Sequence, residues 1–243
     1  MEETYDYTNV AHIHLHGFDN FNDFKSALQK AKDYNLKTIV GINSLFINNP
    51  LSQWDNAVKS FRESLSDDLI DNILAIYVID EPVGCGDEIK NNLQQTISIT
   101  KKYFPNKPTI INFNSQLINP PNNVDWIAID PYFNPTEGDC EQWDRFNREV
   151  TPLMDWAKSF DKPIVLIGQS FYYRNFVDYV MPSPCQQQWY YDRALSEPQV
   201  NTLLWFVYTS WNNFPNGENI GGAENHPEII EFHKKIGKEI IRD

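Results

Sequence analysis

Seven short apolar runs punctuate the 243-residue chain, and amphipathic stretches separate most of them. The runs cover 9–16, 37–42, 73–80, 108–113, 124–130, 163–168 and 202–210. Their wealth of Val, Ile, Leu and aromatic residues reads as strands buried on both faces, the signature of a parallel sheet. Between them, Phe21, Phe24, Leu28, Ala31 and Tyr34 recur at helical spacing behind Asn20, a candidate N-cap. The stretch 87–104 repeats this spacing with Ile89, Leu93, Ile97, Thr100 and Phe104. Trp143, Phe146, Val150, Met154 and Ala157 form a third stripe, which Pro152 is expected to break or kink. Pro227 opens a last helix carrying Ile229, Ile230, His233, Ile236 and Ile240. No linker divides the chain, so residues 1–243 read as one domain.

Alternating strands and helices imply a parallel sheet, closed as a barrel or open and doubly wound. The first strand is followed by His16-Gly17-Phe18-Asp19, which lacks the glycine fingerprint of a dinucleotide fold. Polar residues instead stand at the end of nearly every strand, where barrel enzymes keep their active sites. The expected fold is an α/β protein of the (β/α)8, TIM-like class. Two features fit a full barrel badly. Seven strands are legible where eight are needed, and residues 114–123 are too few for a crossover helix between the fourth and fifth.

Charge narrows the partners. With 33 acidic and 20 basic side chains the net charge is −13, which disfavours nucleic acid and anionic membrane surfaces. No apolar stretch reaches the length of a membrane span. The N-terminal MEETYDYTNV resembles neither a signal nor a transit peptide, leaving a cytoplasmic protein or one secreted after loss of a leader. Cys85, Cys140 and Cys185 show no metal spacing; each follows a predicted strand, and one disulfide among them would argue for secretion.

The segment ILAIYVIDEP (73–82) carries the strongest chemical signal. An apolar strand ends in Asp80 and Glu81, and Pro82 should hold Glu81 extended at the mouth of the sheet. A carboxyl walled by aromatics there would titrate high enough to protonate a leaving oxygen, although a solvated acidic turn has the same composition. VDWIAIDPYF (124–133) repeats the device with Asp130 and Tyr132 on one face. Asn43 closes VGIN, Asn112 and Asn114 close IINFN, Gln169 closes KPIVLIGQ, and Trp211 ends the last run. Carboxylates, amides and aromatics gathered at successive strand ends describe a polar pocket with stacking walls, suited to a polyhydroxylated ligand.

In their order, these motifs resemble the clan A glycoside hydrolases, whose fourth barrel strand ends in Asn-Glu-Pro or Asp-Glu-Pro. The resemblance covers about residues 73–211 and leaves strand one absent or degenerate. It implies that Glu81 is the general acid/base and that Asp130 and Tyr132 contact sugar. It also implies a seventh strand beginning at Lys162. That strand usually ends in a nucleophilic Glu, and Gln169 stands there. An amide cannot form the glycosyl ester, so the second carboxylate would have to be Asp130 or Asp80, the substrate would supply its own nucleophile, or the barrel binds glycan without cleaving it. His16, Asn43, Asn114, Tyr132, Gln169 and Trp211 are then the candidate substrate contacts, and no cofactor is implied.

A metal hydrolase is the competing chemistry, because His12, His14 and His16 alternate along one strand. No later strand ends in His, so His12 and His14 are expected to pack internally with hydrogen-bond partners. A Ser–His–Asp triad has less support, since Gly168-Gln169-Ser170 is not a nucleophile elbow.

Overall fold

In the computed structural model, residues 4–18, 20–138, 140–174, 179–206 and 220–241 are described. The chain forms two compact units, Met1–Ile127 and Ala128–Asp243.

The first unit opens with β1 (Val10–His14), α1 (Phe21–Asp33) and β2 (Lys37–Gly41). Short α2 (Ser44–Ile47), then α3 (Trp54–Ser64) and α4 (Asp67–Asn72), lead to β3 (Ile73–Ile79). α5 (Asp87–Asn91) and α6 (Leu93–Tyr103) precede β4 (Thr109–Phe113), and β5 (Trp126–Ile129) straddles the boundary. Strands β1 to β4 pair in parallel with their chain neighbours. β3 and β4 are almost wholly buried, as expected of inner strands covered on both faces. Asn20 caps α1 as anticipated, accepting from the backbone N–H groups of Asn22 and Asp23, both at 3.0 Å.

The second unit contains α7 (Trp143–Lys158), β6 (Ile164–Gln169), β7 (Phe171–Tyr173) and α8 (Pro184–Ser196). β8 (Val200–Phe206), β9 (Ile220–Gly222) and α9 (Pro227–Ile241) follow. β6 pairs in parallel with β8, while β7 and β9 form an antiparallel pair outside the main sheet. Pro227 is the first residue of α9, as its fixed φ favours.

The main sheet has seven strands in the order β1-β2-β3-β4-β5-β6-β8. Strands that follow one another both in sequence and in space, with parallel pairing, give the TIM-like class with one strand of the eight lacking among the described residues. No helix lies between β4 and β5.

Several expectations need correction. α7 runs unbroken through Pro152. Pro152 lies on the exposed side, so solvent can hydrate the carbonyl it releases, while Phe146, Val150, Leu153, Met154 and Ala157 bury the opposite stripe. The stretch 87–104 is two helices, not one. Asn92 interrupts it with a non-helical backbone, and its side-chain amide donates to the Glu88 carbonyl at 2.7 Å, a local bond that competes with the helix. β1 ends at His14, and Leu15–Gly17 is a 3-10 turn.

The loop between β5 and α7 is tied down at successive points. Cys140 and Cys185 form a disulfide with Cα atoms 5.5 Å apart, fastening the loop to the start of α8. Gln186 of α8, part of a capping box with Ser183, donates to the carbonyls of Glu137 (2.9 Å) and Glu141 (3.4 Å). The Val180 N–H donates to the Pro135 carbonyl at 3.0 Å.

The disulfide joins residues 45 apart in sequence, a span for which bridging typically adds about 2–4 kcal/mol to stability. Alkylation of unreduced protein should therefore label Cys85 alone by mass spectrometry, and Cys185→Ser should lower the melting temperature by several degrees. Labelling of all three thiols without reductant would contradict the bridge.

Candidate active site

Glu81 does not adopt the extended backbone that Pro82 was expected to impose. Its φ is +45°, in the left-handed region that non-glycine residues rarely occupy. Backbone bonds hold it there. The Glu81 N–H donates to the Asn112 carbonyl at 3.2 Å, and the Glu81 carbonyl accepts from Gly84 N–H at 2.9 Å. β3 thus turns sharply as it leaves the sheet, and the carboxylate sits on the turn, partly exposed. Strain of this kind costs on the order of 1–3 kcal/mol and gathers at working sites.

Asp80 is held from below. Its Oδ1 accepts from the Tyr77 hydroxyl at 2.7 Å and from the Asn112 amide at 3.0 Å. The Cys85 thiol donates to its backbone carbonyl at 3.1 Å. Burial, helped by the carboxylates of Asp80 and Glu81, pushes the Cys85 thiol up to about 11, which keeps it protonated and unreactive. Tyr77 was not anticipated; its sign in the sequence is a lone hydroxyl within an apolar strand, which must find a partner when buried.

His12, His14 and His16 form a ladder, with neighbouring ring centroids 4.2 and 4.9 Å apart, and the first two also pack on Tyr77. The His14 ring lies so close to Gly41 that a β-carbon there would fall 2.3 Å from Nδ1. His12 Nε2 and His14 Nδ1 are buried without a hydrogen-bond partner, while the His14 ring also makes a side-chain hydrogen bond with Asn43. Packing on Tyr77 and, for His14, over Gly41 holds these rings in place. Burial holds His12 well below the usual histidine range and lowers His14 to about 4, overcoming the opposing pull of Asp80. His16 is the most exposed of the three, and its Nδ1 lies 3.3 Å from the Asn43 side-chain oxygen. Asn114 stands exposed just beyond β4. Among the described residues, no group of three or more His, Cys, Asp or Glu side chains is arranged to hold a metal ion.

In the second unit, strand pairing stops at Ile129, and Asp130, Pro131 and Tyr132 form a tight turn closed by Tyr132 N–H to Asp130 carbonyl at 2.8 Å. Asp130 is buried. Tyr132 packs edge-on against Phe171 at 4.9 Å and lies nearly parallel to Phe206 at 6.3 Å. The Tyr190 hydroxyl supports the turn from beneath, donating to the Pro131 carbonyl at 2.8 Å.

Gln169 is completely buried, and its amide is committed on both sides. Its oxygen accepts from the Asn134 backbone N–H at 3.0 Å. Its nitrogen donates to the Asn134 side-chain oxygen at 3.1 Å and to the Phe171 carbonyl at 3.2 Å. A backbone N–H can only donate, so the amide has one possible orientation. Asn134 has φ +46°, a conformation that Asn tolerates better than most residues. The neighbouring Ser170 is fully buried, which leaves no exposed hydroxyl there for a nucleophile. Trp211 lies outside the described residues, as does Ser210.

Strand-end carboxylates on a parallel sheet of this order define a class, the (β/α)-barrel proteins whose chemistry lies beyond the C-terminal ends of the strands. Solved structures of glycoside hydrolases share the fold. A β-D-glucuronidase from Dictyoglomus thermophilum superposes with a TM-score of 0.65 at 16% identity, covering 96% of this chain and 45% of that one. A GH2 β-galacturonidase from Eisenbergiella tayi, bound to galacturonate, gives 0.64 at 11% identity, covering 97% and 45%. Xylanase 10B from Thermotoga maritima gives 0.55 at 13% identity, covering 90% and 81%. The chain thus spans less than half the length of these glucuronidase and galacturonidase structures. No family model and no curated protein matches the chain in sequence. The likeness to these structures is one of fold, the (β/α)-barrel expected from the order of strands and helices.

Gln169→Glu would place a carboxylate against two carbonyl oxygens in a site without solvent. The substitution should cost roughly 3 kcal/mol or more, because an uncompensated buried charge replaces a satisfied amide. Denaturant unfolding should show the loss, and hydrolytic activity should not rise. Asn134→Gly should lower stability less, since it relieves the positive φ while removing one acceptor.

Buried neutral histidines make a second expectation. His233 of α9 bonds through Nε2 to the Gln187 side-chain oxygen at 2.6 Å, and burial pushes it down to about 3. Its folded value lies below the unfolded value near 6.5, so below that pH the unfolded chain takes up a proton that the native state refuses. The native state should lose about 1.4 kcal/mol per pH unit for each such histidine from about pH 6.5 downward, until the folded values are reached. Melting temperatures across pH 7 to 4 should fall accordingly, and His233→Gln should flatten the slope.

Proposed function

We propose that the protein is a glycosidase acting on an oligo- or polysaccharide, with Glu81 as the proton-donating acid/base. The observation that carries this reading is the backbone of Glu81: a carboxylate in a strained left-handed turn, at the end of an inner strand, on a barrel fold shared with glycoside hydrolases. Asp80, gripped by Tyr77 and Asn112, suits a positioning role beneath Glu81. Asp130, buried at the turn that follows β5, is the candidate second carboxylate. His16, Asn43 and Asn114 would supply hydrogen bonds to hydroxyl groups, and Tyr132 and Trp211 would supply ring faces. Gln169 would act indirectly, by holding the loop that carries Asp130 and Tyr132. The Cys140–Cys185 disulfide supports a protein that works in an oxidising compartment.

A binding barrel without turnover is the second reading, favoured by one observation: the usual nucleophile position holds a buried amide with every atom engaged. The two are separated by assaying a glycoside panel that includes β-glucuronides, β-galacturonides and xylo-oligosaccharides, the classes named for the similar structures. Glu81→Gln should lower turnover by about 10²–10⁴-fold while oligosaccharide binding persists, because the amide keeps the shape but has no proton to give. Asp130→Asn should have a comparable effect. If the wild-type protein binds a glycan but cleaves none in the panel, the binding barrel replaces the enzyme.

A further inference from the structure

The antiparallel pair β7–β9 has no part in the main sheet and is not needed to place Glu81 or Asp130. Tyr172 and Tyr173 of β7, with Arg174, His226 and the segment 179–181, line an open pocket of about 350 Å³. Two aromatic pairs frame it. Tyr172 meets His226 edge-on at 5.7 Å, and Tyr173 meets Tyr179 at 6.1 Å. Met181 lies at the base, in an apolar cluster with Ala223 and Ile229 against which Tyr172 packs.

The walls are held in place before any ligand arrives. Tyr172 pairs with Gly221 across the two strands, and its ring lies so close over that glycine that a β-carbon would fall 2.2 Å from it. Any side chain at position 221 would therefore displace the ring. The 179–181 segment is fastened through Val180 to Pro135, part of the loop bound by Gln169 and the disulfide. Phe171, between Gln169 and Tyr172, packs edge-on against both Tyr132 and Tyr173.

A fixed cavity framed by tyrosines on an apolar base, with imidazole and guanidinium donors from His226 and Arg174 at its lining, matches one ligand chemistry well. Pyranose rings present flat C–H faces to aromatic rings and hydroxyl groups to donors and acceptors around them. The volume falls at the small end of the range for small-molecule pockets, the size of one or two sugar rings. We infer that this cavity is a sugar-binding subsite of the second unit, which holds one or two rings of a longer glycan chain. The inference rests on the glycan reading above.

The test uses the full chain and defined probes: xylohexaose and cellohexaose, with p-nitrophenyl xyloside and glucoside as the short counterparts. Binding is followed by calorimetry. For whichever hexasaccharide the wild-type protein binds, Tyr179→Ala should weaken affinity by about 5- to 20-fold, the scale of a lost aromatic contact. Tyr179→Phe should keep it, since the ring face remains. The short glycoside should bind both variants alike, and unchanged melting temperatures would exclude misfolding. Unchanged hexasaccharide affinity in Tyr179→Ala and in Tyr173→Leu would overturn the subsite while leaving the role of Glu81 intact. A Glu81→Gln protein that turns over normally would remove the catalytic reading yet leave a Tyr179-dependent binding loss standing. Absence of binding to either hexasaccharide would overturn the subsite.

Discussion

The second unit is organised around one amide. Gln169 reaches from the end of β6 to take both the backbone N–H and the side-chain oxygen of Asn134. Those bonds set the path of the chain after β5, and with it the turn that bears Asp130 and Tyr132. A carboxylate could accept from the Asn134 N–H but could not donate to the two oxygens on the other side. An amide, with one donor end and one acceptor end, is the only side-chain chemistry of this length that satisfies all three partners. The glutamine at the end of β6 is thus not an idle residue. It has a structural task that excludes the ionised form.

In the first unit the strain at Glu81 and the order beneath it are linked. The Asn112 backbone carbonyl holds the Glu81 N–H while the Asn112 amide holds Asp80, so one residue of β4 fixes both carboxylates. Tyr77 adds a second donor to Asp80 and at the same time offers its ring to His12 and His14. A positive φ at a residue preceding proline persists only where its neighbours over-determine it. The bonds from Asn112 and Gly84 do so here, and the buried histidines supply a rigid floor that resists relaxation.

Much of the architecture could be read from period and punctuation. Apolar runs located every strand of the main sheet, Asn20 and Pro227 marked helix starts, and the short link 114–123 announced a missing helix. What escaped reading depends on tertiary context. α3 and α4 hide between strands where attention falls on the strand ends, although Trp54, Val58 and Phe61 keep helical spacing. That the helix would continue through Pro152 was not legible, because only the fold shows that Pro152 faces solvent. Glu81 was misjudged because the sequence records the proline but not the carbonyl of Asn112. At the candidate site, the residue types at the strand ends were legible, whereas the partners that orient them, Tyr77, Asn112 and Asn134, lie far away in sequence.

The link between β4 and β5 has a practical corollary. β4 is buried at every position although no helix follows it, so the strand does not rely on a local cover. Leu117, in the middle of the link, is 78% exposed, and Asn114 and Asn119 beside it are exposed too. Segments of this kind accept foreign sequence with little thermodynamic penalty. A peptide tag, a helix or a small folded module grafted between residues 116 and 119 would be carried outside the packed framework, making this link a natural port for display or immobilisation of the intact protein.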